Sequence, residues 1–130
     1  MKRHPPNDAG STPAEFVLVA AVLTALTLGV LQLGLALYVR NVVHDAAMEG
    51  AHVAALADAD LADGADRTRE IISRSVGSGY AELVTASASM IGSTEAVEVT
   101  VVTTLPLAGL LGLPRALEVS ARAPAETLER

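Results

Sequence analysis

Between Phe16 and Val39 no residue carries a charge, and the only polar side chains are Thr24, Thr27, Gln32 and Tyr38. As a helix rising about 1.5 Å per residue, this run is about 36 Å long, against a hydrocarbon core of about 30 Å. A water-soluble helix that is apolar on all sides needs protein around its whole circumference. A chain of 130 residues with 2% aromatics, one Phe and no Trp has too little bulky core material to provide it. The run therefore predicts a membrane span, and Gly29 and Gly34 would let another helix approach it closely. A cleaved secretory signal is the competing reading. Its apolar region is about 7–15 residues and stops at a small-residue site, whereas this run is longer and continues into an amphipathic stretch.

Charge orients the span. Lys2, Arg3 and His4 precede it; Arg40 follows it, but Asp45, Glu49 and an acidic remainder lie beyond. The short basic head should stay in the cytoplasm and the body should lie outside. The formal net charge of −6 argues against a nucleic-acid partner, which needs a basic face. With no Cys, neither a disulfide nor a thiolate metal site is possible.

An acid stands at the threshold of the span. Glu15 directly precedes Phe16, and the small step Gly10-Ser11 lies shortly before it. Were the chain cut between Gly10 and Ser11, it would begin S-T-P-A-E-F, with Glu15 one helical turn from a new α-amino group. A carboxylate at the membrane edge is tolerable, but in a bundle that excludes water it needs a positive partner. The ammonium of Ser11, its own or a neighbour's, is such a partner. The simpler alternative is a carboxylate that only snorkels to the interface.

A short basic leader, Gly10, four residues, Glu15 and Phe16 before an apolar helix resembles the class III leader of type IV pilin-like proteins. The following "LGVLQLGLALYVRNVVHDAAMEGAHVAA", residues 28–55, resembles the TadE-like pseudopilins of tight adherence (Flp) pilus systems, through Asn41, Ala46, Ala47, Glu49, Gly50 and Ala51. The likeness covers about residues 9–56. It departs from the family pattern at Val19–Val22, where members often carry Pro, and at Pro13. It implies a prepilin peptidase cutting after Gly10, and pilin or pseudopilin subunits as partners. It also implies residence in the bacterial cytoplasmic (inner) membrane or in the pilus, with roles in cell adhesion or secretion.

Beyond Arg40 the helix is expected to continue to about residue 60. Val42, Val43, Ala46, Ala47, Ala51, Ala54 and Ala55 form an apolar stripe opposite Asn41, His44, Asp45, Glu49 and His52. The stripe could pack on the chain's own sheet, on neighbouring subunits, or on both. Gly64 is expected to stop this helix and Asp66 to cap a short second one, about Arg67–Val76. After "GSG" at 77–79 the period changes to two. Val84–Met90, Val97–Val101 and Leu117–Ala123 alternate apolar with polar residues, which predicts an antiparallel meander with one oily face on the long helix. "GSTE" is the expected first turn. The apolar Leu105–Pro114 segment is read as a short helix or a sticky patch.

The expected fold is thus α+β and membrane-anchored, with a long N-terminal helix (transmembrane half plus amphipathic half), a short second helix and a small three-stranded antiparallel sheet. Its divisions are a cytoplasmic leader at 1–10, a transmembrane helix at 11–40, an amphipathic extension at 41–63 and an extracytoplasmic domain at 64–130. No catalytic constellation is visible. "DADLADGAD", residues 58–66, has Gly64 in the wrong register for a calcium loop. His44 and His52 stand about 12 Å apart along a helix, too far to share a metal. No G-x-S-x-G or phosphate loop occurs. The expectation is a pseudopilin without enzymatic activity or cofactor. The rival is an uncleaved single-pass membrane protein whose small outer domain binds a partner.

Overall fold

A computed structural model of the chain describes Met1 and residues 11–106 and 116–126. Gly10 and most of the apolar segment Leu105–Pro114 lie outside the described residues. The chain divides into two compact units, Met1–Gly34 and Leu35–Arg130. The elements are α1 (Ser11–Ala54), α2 (Leu61–Ser75), a 3-10 turn (Ser78–Tyr80), β1 (Leu83–Ile91), β2 (Thr94–Thr104) and β3 (Ala116–Pro124). This is the long helix, short helix and three-stranded sheet that the sequence predicts.

α1 ends at Ala54, earlier than expected, and α2 begins earlier too. Asp60, not Asp66, is the N-cap. Its side chain accepts from the Asp63 amide at 3.0 Å, and the Asp63 carboxylate accepts from the Asp60 amide at 3.0 Å. This reciprocal pair satisfies two otherwise orphan donors. Gly64 stops nothing: it lies buried inside α2. The segment 41–63 is therefore the end of α1, a turn and the first residues of α2, rather than one helical extension.

α1 and α2 meet through residues without bulk. A Cβ on Gly64 would strike the Gly50 carbonyl oxygen and lie 2.5 Å from the Ala54 Cβ; one on Gly50 would strike Thr68 Oγ1. Ala46, Ala47 and Ala51 are fully buried beside them. At this separation Thr68 reaches across: its hydroxyl can donate to the Ala46 carbonyl at 3.2 Å or to its own helix at Gly64 O, 2.9 Å. Glu49 and Arg67 add an exposed ion pair at 3.7 Å, which contributes little.

α2 ends at Ser75, and the chain leaves it through Val76 and Gly77, whose φ of +113° few other residues adopt. The sheet is an antiparallel meander in the order β1-β2-β3. Ile91 pairs with Thr94 across the two-residue turn Gly92-Ser93, and Gly92 has a φ of +63°. A positive φ at the first turn position only is the type II′ hairpin, whose twist suits the strands. Val84, Val97, Val99, Val101, Val119, Ala121 and Ala123 face inward and join Val39, Val43 and Ile72 in one core. Ala88 and Met90, expected inward by alternation, are exposed. α2 lies on the other end of β1, where Arg69 donates to the Val84 carbonyl at 2.8 Å.

Candidate membrane and assembly site

From Phe16 to Leu35 every residue of α1 is exposed except the half-buried Gln32. The eleven leucine and valine side chains of this stretch, left in water, would each forgo roughly 1.5–3 kcal/mol of burial. α1 is the one helix among the described residues long and apolar enough to cross a membrane, with a mean hydropathy of 2.4 over its most apolar window. The backbone of a helix satisfies itself, which is the requirement of a lipid environment. Thr27 does the same with its side chain, donating to the Leu23 carbonyl at 2.8 Å. Gly29 and Gly34 have open space where a Cβ would stand.

The threshold residues come together as their spacing requires. α1 begins at Ser11, and the Ser11 hydroxyl donates to Glu15 Oε1 at 2.9 Å. Residues four apart on a helix are neighbours, so an α-amino group at Ser11 would start on the same turn as the carboxylate. Phe16 is exposed at the start of the apolar surface. Glu15 is the only acidic side chain between Ser11 and His44.

The stretch carrying the family resemblance splits into two faces. Ala46, Ala47, Gly50 and Ala51 are buried against the rest of the chain, while Asn41 and Glu49 are exposed. The apolar stripe is thus used internally at these positions, while Val42 stays half-buried. The partners Gly64 and Thr68 were not evident as site residues from the sequence. Their signal was present: Gly64, Thr68 and Ile72 recur at a four-residue interval on the buried face of α2.

The outward face of α1 borders an open groove of about 570 Å³, lined by residues that include His44, Met48, His52 and Arg122. His44 Nδ1 lies 3.9 Å from Asp45 Oδ1. Among the described residues no group of three or more His, Asp or Glu side chains is placed to hold a metal ion. On the outer face of the sheet Arg122 hydrogen-bonds Glu98 at 3.2 Å and holds its carboxyl below the ordinary glutamate range.

The family model described as TadE-like protein matches residues 10–52, from the residue before α1 almost to its end. No curated protein and no solved structure matches the chain.

Proposed function

We propose that this chain, whose first helix matches the TadE-like family, is a pseudopilin of a tight adherence pilus or a related secretion machine. The observation that carries the reading is the coincidence of that match with an exposed apolar helix that begins at Ser11 with Glu15 one turn behind. Prepilin peptidase cuts after Gly10 on the cytoplasmic side of the inner membrane. The mature chain stays anchored by Phe16–Leu35, with the Leu35–Arg130 unit on the extracytoplasmic side. The Ser11 ammonium and Glu15, within one chain or between neighbours, form the paired charge that lets such helices bundle away from water. Assembly partners are other pilin or pseudopilin subunits.

The N-terminus tests this reading. Mass spectrometry of protein purified from cells with an active prepilin peptidase should find a chain beginning at Ser11. Recovery of the intact N-terminus would leave an uncleaved single-pass membrane protein in its place.

A further inference from the structure

The phase of the strand ladder decides which backbone groups the sheet leaves over. Ile91 and Thr94 flank a two-residue turn and therefore exchange hydrogen bonds with each other. Counted back in steps of two, Ser89, Ser87 and Thr85 turn their amides and carbonyls toward β2, while Val84, Ala86, Ala88 and Met90 turn theirs away. Two contacts agree with this phase. The Val84 carbonyl is free to accept from Arg69, and Glu95, opposite Met90, gives its carbonyl to the Ala125 amide. Arg69 thus occupies one outward group of β1. Among the described residues, nothing pairs with those of Ala86, Ala88 and Met90.

Edge strands commonly carry a charge, a Pro or a bulge that discourages a further strand. β1, LVTASASMI, has none of these, and all nine of its residues pair one for one with β2. On its helix side Ala88 and Met90 are exposed, Met90 at 52%. β3 is the other edge. By the same count its outward groups belong to Glu118, Ser120 and Arg122, and the row ends at Pro124, which has no N–H. The Arg122 charge is already answered by Glu98 at 3.2 Å. Beside this edge runs the groove of about 570 Å³ between the outward side of α1, with Met48 at its middle, and the Arg122–Pro124 end of β3.

Direction selects the occupant. β1 and β3 are each antiparallel to β2, so they run the same way. β1 of one copy against β3 of a second is therefore a parallel pair, and the two copies share one direction, as copies anchored in one membrane with one topology must. A symmetric β1–β1 pair is antiparallel and would turn one copy end for end. In a parallel pair, each outward residue bonds the two residues that flank its neighbour. With Ala88 level with Ala121 of the second copy, its amide meets the Ser120 carbonyl and its carbonyl meets the Arg122 amide. Ala86 is served in the same way by Glu118 and Ser120. The Met90 amide reaches the Arg122 carbonyl, and Pro124 ends the ladder there. On the helix side Met90 then stands level with Ala123, which lines the groove.

We propose that the β1 edge of one copy adds in parallel to the β3 edge of a second, joining the two sheets and seating Met90 in the second copy's groove beside Met48. Each pair leaves one β1 and one β3 edge open, so the contact is head-to-tail and does not close at two copies. It names a second copy of this chain among the assembly partners, and it rests on the reading of the chain as anchored with one topology.

The chain contains no Cys, so introduced ones report without background. At this register Ser87 is level with Ser120 of the second copy, and both are exposed. Within one chain the two lie two strand spacings apart, about 9.5 Å, too far for a disulfide. The Ser87→Cys, Ser120→Cys double variant and each single variant are produced as full chains, and isolated membranes are oxidised with copper phenanthroline. On non-reducing gels the double variant should give a ladder of dimers, trimers and higher species that reduction removes. The single variants should remain monomers. Ala88→Pro in the double variant removes an N–H that β2 does not use, and should weaken the ladder several-fold. A double variant no more cross-linked than the single ones, with the chain still in the membrane fraction, overturns the proposal and leaves the anchor standing. Dimers from Ser87→Cys alone place β1 against β1 and also overturn it, as does a ladder that Ala88→Pro leaves undiminished. A chain recovered in the soluble fraction overturns the anchor and the proposal together.

Discussion

Gly50→Ala sets two effects of known sign against each other. In a helix interior alanine is favoured over glycine by about 0.8–1.0 kcal/mol. Against this, the new Cβ would strike Thr68 Oγ1 and lie 2.5 Å from the Gly64 carbonyl oxygen. Thr68 can rotate away, but its buried hydroxyl then loses the Ala46 and Gly64 carbonyls, at about 1–3 kcal/mol for an unpaired group. The Gly64 oxygen belongs to the backbone of α2 and yields only if the helices separate. Overpacking of this kind costs about 1–3 kcal/mol. The net expectation is a loss of about 1–4 kcal/mol. For a unit of this size each kcal/mol lowers the midpoint by about 4–8 °C, so a 2 kcal/mol loss lowers it by roughly 8–16 °C. Gly79→Ala, where a Cβ meets open space, is the control and should stay within about 0.5 kcal/mol of the parent. Thermal melts of the full chain in detergent, read by hydrogen exchange of the β2 amides, report this unit rather than the span. A Gly50→Ala protein as stable as the parent, or more so, would refute close packing at this crossing.

Glu15→Gln should leave membrane insertion intact, since removing a charge from a span only helps it. Cleavage should persist too, while assembly with pilin-type subunits is lost. A variant that supports piliation like the parent would reduce Glu15 to an interfacial carboxylate. Glu98→Gln bears on acid stability. The hydrogen bond from Arg122 lowers the folded-state pKa of Glu98, so its contribution is present above the ordinary glutamate range. As pH falls, the unfolded chain takes up the proton first and that contribution is lost through the folded pKa. The parent should therefore lose stability faster than Glu98→Gln as pH falls through and below the ordinary glutamate range, and parallel acid titrations of the two would contradict the linkage.

What was legible in the sequence follows from how few solutions each pattern has. The uncharged run from Phe16 to Val39 has one in a chain this small, and the alternating strands can bury only one face each. The ambiguous residues were those with several uses. Gly64 lacks a Cβ, which serves equally to end a helix or to admit another one, and only Gly50 across the gap decides between them. Asp58, Asp60, Asp63 and Asp66 can each cap a helix; Asp60 does so because Asp63 stands three residues on and returns the bond. For Ala88 and Met90, alternation says which side of the sheet they face, not whether another element covers them, and both are exposed. The spacing of four from Ser11 to Glu15 was readable as one helical turn; the contact on it is made by the Ser11 hydroxyl, while the sequence reading invoked the α-amino group of a cut chain.

The two halves of α1 differ in what they leave open to another subunit. From Val43 to Ala54 the small-residue face is consumed by α2 and the sheet. A neighbour approaching there meets the opposite face, with Asp45, Glu49 and two histidines, of which Glu49 is already paired with Arg67. From Phe16 to Leu35 almost the whole circumference is open, Gly29 and Gly34 offer close approach, and Glu15 is the single charge at the entrance. Helix-to-helix contacts between subunits are therefore expected in the apolar half, where packing and one charge pair must supply the specificity. The Gly50–Gly64 crossing would act on assembly only through the fold of the unit that α1 carries. Gly50→Ala and Glu15→Gln should accordingly fail in different ways, the first with the domain loosened and the second with the domain intact.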